Sequence, residues 1–204
     1  MTVNTNREKF HFWTKWTLLS LGIIPLSYII SLIAVLFVHT AFGFKMNEWG
    51  TPLSQTLMQI AGGAVIGLGT GIYQRSLLRK IFDVTSSWIY TIIIGFTITE
   101  LIAGIILWQM GLNRGELRFI EFKPIPESLI FACAGLVIGL LQWTILRRYF
   151  YNSCIWVFAS ILGWGICIIV TQISAWAFFV GAILYGAITG ATLMWIMQIK
   201  KVQR

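Results

Sequence analysis

The chain has 204 residues, 57% of them hydrophobic and only 11% charged, with a mean hydropathy of +0.81. A soluble domain carries a charged shell of roughly a quarter of its residues, which fifteen Lys and Arg with seven Asp and Glu cannot supply. A water-soluble globule, a disordered chain and a nucleic-acid-binding protein are excluded despite the net charge of +8; an all-α, polytopic membrane protein is predicted.

Charged residues bound the apolar stretches, and about 20 residues of helix cross a bilayer. The first span is predicted over Thr17 to Thr40. Ahead of it Phe10, Phe12, Trp13 and Trp16 alternate with Lys9, His11 and Lys15, the pattern of an interfacial anchor, so residues 1–16 form a cytoplasmic or interfacial segment. The apolar run is too long for a signal-peptide core, and no small-residue cleavage pattern closes it. Pro25 predicts a kink.

Ser54 to Leu78 gives the second span and Trp88 to Met110 the third, with Glu100 near its middle; the fourth runs from Glu127 to Leu146. From Tyr149 to Ile199 no residue is charged, roughly twice what one helix needs at about 1.5 Å per residue. That run must fold back, and Gln172 to Ala175 is its most turn-like stretch, leaving spans at Cys154–Gln172 and Trp176–Gln198. Six spans occupy residues 17–199, followed by a tail at 200–204. Continuous apolar runs without alternation argue against a β-barrel.

Positive charge orients the spans. Arg7, Lys9, Lys15, Arg75, Arg79, Lys80, Arg147, Arg148, Lys200, Lys201 and Arg204 fall on one side, with only Glu8 and Asp83 as acids. The other side balances Lys45, Arg114, Arg118 and Lys123 against Glu48, Glu116, Glu121 and Glu127. Both termini are therefore expected in the cytoplasm, with the long Gly111–Glu127 loop outside. The placement predicted is the cell (inner) membrane.

The chain repeats itself. An offset of 68 carries Gly67, Gly71, Gln74, Leu78, Arg79-Lys80, Trp88 and Gly95 onto Gly135, Gly139, Gln142, Leu146, Arg147-Arg148, Trp156 and Gly163. The two copies lie at about 60–110 and 128–172. Gly186 and Gly190 mark a weaker third copy, whose missing half would be the first helix. Three parallel two-helix hairpins are predicted, an arrangement known among membrane proteins.

Gly63, Gly67 and Gly71 recur every fourth residue and form one stripe, as do Gly135 with Gly139 and Gly186 with Gly190. Helices in lipid associate by close packing of small residues. Such stripes are expected to let the even helices meet at the centre, with the odd helices, Ile93 and Ile94 included, facing lipid. A narrow passage lined by backbone carbonyls is the functional alternative.

The stretches "GGAVIGLGTGIYQRSLLRK" and "AGLVIGLLQWTILRR", each followed by a Trp and then a Gly, resemble a family of multi-pass proteins common in cyanobacteria and other bacteria. Its hallmark is a G-x-x-x-G-x-x-Q-W-x-x-L-R repeat. The resemblance covers residues 60–199 and departs from the pattern at Tyr73-Gln74-Arg75. It implies a fold and a membrane location but no activity.

Glu100 is the most informative polar residue, because a mid-span acid raises the insertion cost by roughly 2.5–3.5 kcal/mol. It is expected to be buried against other helices, either as a proton, cation or polar-ligand site or as a structural group bonded to Thr97, Thr99 or a glutamine. Gln74 and Gln142, near the cytoplasmic interface, are expected to hydrogen-bond between hairpins or to share in a ligand site; Gln59 and Gln172 are the other amides.

No enzyme chemistry, metal site or cofactor is predicted. His11 and His39 lie far apart, and Cys133, Cys154 and Cys167 form no C-x-x-C pair and are expected to be buried packing groups. Arg79, Lys80, Arg147 and Arg148 could hold anionic lipid headgroups. Two functions compete: a non-enzymatic accessory or assembly subunit of a membrane complex, and a small transporter or solute-binding component using Glu100.

Overall fold

The computed structural model describes residues 6–43, 52–109, 124–171, 173–174 and 176–198. They form six helices: α1 (Asn6–Ala41), α2 (Pro52–Leu78), α3 (Ser87–Gln109), α4 (Pro124–Leu146), α5 (Ile155–Thr171) and α6 (Ala177–Met197). No strand occurs among the described residues. Four helices are long and apolar enough to cross a membrane: Arg7–Ala41, Thr56–Leu78, Ser128–Leu146 and Ala177–Met197. Ser87–Ile102 and Ile155–Thr171 are apolar but shorter. The Gly111–Glu127 loop up to residue 123, Gln172 and Ala175 of the expected turn, and the tail from 199 lie outside the described residues.

Five of the six helices start and stop close to where the charges predict. α1 begins well before Thr17, and it runs unbroken through Pro25. The N-terminal aromatics are part of this helix. Trp16 and Phe12 are buried inside the bundle, and only Phe10 stays fully out. The helix continues because nothing from Asn6 to Lys15 breaks it, and its buried side chains find partners on α6.

Each helix packs against its neighbours in chain order, and α6 closes on α1, so the six form a ring. Among the described residues no two even-numbered helices pack extensively on one another, contrary to the expected central meeting. The glycines instead face the odd helix next to them. A Cβ on Gly67 would stand 2.8 Å from the Ile93 Cα, and one on Gly71 3.0 Å from the Ile89 Cα. A Cβ on Gly139 would stand 2.9 Å from the Val157 Cα, and one on Gly135 would run into the Ser160 carbonyl. On α6, Gly186 meets Thr17 and Ser20, and Gly190 meets Trp16 and Trp13. Ile93 is therefore an interface residue, whereas Ile94 is exposed as expected.

The physical reason is local. A side-chain-free stripe allows van der Waals contact between backbones; α2 and α4 use it on the helix joined to them by a short loop, and α6 uses it on α1, which closes the ring. The centre of the ring is left for large side chains, which both odd and even helices supply.

Candidate functional site

Toward the end of the ring that carries the α2–α3 and α4–α5 loops, here the basic end, the centre is solid. Trp16, Trp88 and Trp156, from α1, α3 and α5, are all fully buried. The Trp156 ring lies 6.4 Å from Trp16 and 6.1 Å from Trp88, centroid to centroid, and Tyr73 meets Trp16 edge-on at 5.8 Å. Offset and edge-to-face rings attract beyond their area burial.

Every indole N–H in this cluster finds an acceptor. Trp88 Nε1 donates to Gln74 Oε1 at 3.0 Å, and Trp156 Nε1 to Gln142 Oε1 at 2.8 Å. Trp16 Nε1 donates to Thr189 Oγ1 at 2.9 Å, and Thr189 Oγ1 itself donates to the Tyr185 carbonyl at 2.7 Å. Gln142 Nε2 reaches Gln74 Oε1 at 3.3 Å, while Gln74 Nε2 donates to Tyr185 Oη at 2.8 Å. Ser20 Oγ and Tyr73 Oη are 2.8 Å apart. All six helices contribute to one network, and Gln74 and Gln142 are 0% and 1% exposed.

The network is capped on its loop side. Phe82 and Phe150 meet edge-on at 5.3 Å, and Tyr149 Oη donates to the Asp83 carbonyl at 2.7 Å, so the two basic-end loops are fastened together. Toward the other end, Trp164 meets Phe96 edge-on at 4.7 Å and lies tilted against Tyr185 at 4.5 Å. The centre there is filled by side chains rather than lined by exposed carbonyls.

Glu100 is not part of this network. It lies half-buried at the α2–α3 contact, where a Cβ on Gly63 would come 3.0 Å from its Cγ. Its expected partner Thr99 donates instead to the Gly95 carbonyl at 2.8 Å, and no described residue hydrogen-bonds to Glu100. Gln59, one turn beyond Gly63, has a buried Oε1 with no donor. Thr70 Oγ1 and Trp164 Nε1 are likewise buried and unpaired.

The remaining candidates scatter. His39 is buried and His11 exposed, and no cluster of metal-ligating side chains occurs among the described residues. Of the cysteines expected to be packing groups, only Cys167 is buried; Cys133 on α4 and Cys154 in the α4–α5 turn are exposed. Arg79, Lys80, Arg147 and Arg148 are exposed, and the Arg147 guanidinium lies 5.3 Å over the Trp143 ring.

The sequence signalled the glutamines but not their partners. Gln74 and Trp88 are fourteen residues apart, as are Gln142 and Trp156, and that doubled spacing was the available clue. Tyr185, Thr189 and Ser20 carry no comparable pattern. Comparison with protein families, with characterised proteins and with solved structures found no match.

Proposed function

We propose that this chain is a six-span integral membrane protein built from three two-helix units, α2–α3, α4–α5 and α6–α1, and that it serves as a non-enzymatic accessory or assembly subunit of a membrane complex. The carrying observation is the Trp–Gln network, which draws on all six helices and is fully buried. Groups held this way are structural. They fix one arrangement of the ring. The glycine contacts on α3, α5 and α1 support three like units. The excess of cations around the basic end supports a cytoplasmic placement of that end in the cell membrane.

The function then resides on the outside of the ring. Its lipid-facing sides offer partner helices a surface of Leu, Ile and Phe, and the exposed Arg79, Lys80, Arg147 and Arg148 suit anionic headgroups. Mild detergent extraction of the tagged protein at native abundance, followed by mass spectrometry, tests this. A stoichiometric membrane protein partner is expected; a monodisperse single species with a retained small molecule refutes it.

A second reading, a solute-binding or transport component, is favoured by Glu100 alone. An acid inside the apolar zone without a protein partner is costly unless something else satisfies it, and Glu100 lies away from the sealed basic end.

A further inference from the structure

From the last turn of α2 we infer a site for the phosphate of an anionic phospholipid, held between Arg75 and Arg79; it rests on the headgroup reading of the basic end given above. The Arg79 N–H donates to the Arg75 carbonyl at 2.9 Å, so the two residues sit one helical turn apart on one face. Among the described residues neither guanidinium has an acceptor, and Asp83 of the same loop pairs with neither. Arg75 is half-buried, and its Nε is enclosed without a partner. The base of the guanidinium is therefore fixed in the packing, and its terminal nitrogens are the part left to meet a ligand.

The internal repeat shows what is missing. At the offset of 68, Trp143 of α4 stands where α2 has Arg75, and the Arg147 N–H donates to the Trp143 carbonyl at 2.9 Å. There the Arg147 guanidinium lies 5.3 Å over the Trp143 ring, whose face carries negative charge. At the corresponding places α6 has Met194 and Gln198. Of the three, only α2 sets two cations one turn apart, and like charges at that spacing repel. An anion between them turns the repulsion into two attractions.

Phosphate suits the pair, because its free oxygens accept from planar guanidinium forks. A lipid supplies it, since Leu68, Ile72, Arg75 and Arg79 follow the i, i+4, i+7, i+11 spacing of one helix face. Leu68 and Ile72 are 44% and 52% exposed, an apolar strip leading from the cations toward the acyl chains. A choline headgroup would bring its own cation beside Arg79 and Lys80, so a headgroup without one, such as phosphatidylglycerol, is selected.

The test is the melting temperature of the purified full chain in neutral detergent at about 0.15 M salt, where exposed charges are screened beyond about 8 Å. Phosphatidylglycerol, phosphatidylcholine and inorganic phosphate are titrated separately. A ligand that binds only the folded state raises stability with concentration. A saturable rise is expected with phosphatidylglycerol and not with the other two. Arg75→Gln and Arg79→Gln should each weaken the apparent affinity by about tenfold, the loss of one charge-assisted pair. Arg75→Trp, which copies the second unit, should do the same. Arg148→Gln, in the other loop, should shift it by less than about threefold. Melting without lipid shows whether each variant is folded; if neither Arg75 variant is, Arg79→Gln decides.

Equal effects of phosphatidylglycerol and phosphatidylcholine overturn the site together with the headgroup reading. An undiminished effect in folded Arg75→Gln, or equal losses in Arg75→Gln and Arg148→Gln, overturns the site but leaves a diffuse attraction of the basic end for headgroups. An equal rise with inorganic phosphate overturns the lipid in favour of a soluble phosphate. A co-purified protein complex that dissolves on Arg75→Gln, with no lipid effect, overturns it in favour of a partner's acidic side chain.

Discussion

Gln74 is the joint of the buried network, and replacing it with Leu tests whether that network holds the ring together. Its Oε1 accepts from Trp88 and Gln142, and its Nε2 donates to Tyr185. Leucine has similar bulk, so the loss is polar. Three bonds disappear and their partners stay buried. Stranding a buried polar group costs about 1–3 kcal/mol in soluble proteins. Interhelical bonds in membrane proteins measure lower, about 0.6 kcal/mol on average and up to about 1.7.

Three bonds at these values put the loss at about 2–5 kcal/mol. Unfolding in mixed micelles of increasing denaturing detergent reads it. A double-mutant cycle with Trp88→Phe, which removes the indole donor, isolates one bond. Its coupling should be about 0.5–2 kcal/mol. Thr144→Ala, which loses only an exposed bond within its own helix to the Leu141 carbonyl, should be nearly silent. If Gln74→Leu matches Thr144→Ala and the coupling is zero, the network does not exist as described.

Glycine substitutions should divide by what a Cβ would meet. Gly67→Ala and Gly139→Ala press on the backbones of α3 and α5 and should lower stability by about 1–3 kcal/mol. Gly22→Ala meets nothing within 4 Å and should raise it by about 0.5–1 kcal/mol through helix propensity; thermal melts in detergent give both. For topology, single cysteines at Asn113 and Asn152 in a background lacking Cys133, Cys154 and Cys167 should label from opposite sides of sealed vesicles, and labelling from one side refutes the six-span arrangement.

Helix positions were legible because charge is costly to bury among apolar side chains, so Lys80, Asp83 and Arg147 punctuate the chain as clearly as any turn. The start of α1 was not, because Lys9 and Lys15 read as an exit from the membrane while a helix has no reason to stop there. The glycine stripes were legible as close contacts, but their periodicity says nothing about which helix they touch. Gly67 meets Ile93 of the next helix rather than Gly135 across the ring, and Gly186 meets Thr17 and Ser20 of α1, at the far end of the chain. Glu100 stood out through its position alone.

The contact between α6 and α1 has a consequence for synthesis. Trp16 is made 173 residues before Thr189, whose hydroxyl receives its indole proton. The α2–α3 and α4–α5 contacts can form as soon as each short loop has emerged. While α2 to α5 are being made, therefore, α1 waits with a polar indole edge and an open face, and the ring locks only when α6 arrives. Any chain truncated before α6 keeps that face uncovered. An insertion chaperone that shields small-residue and indole surfaces, or a degradation factor that recognises them, would distinguish finished from unfinished molecules at this one seam.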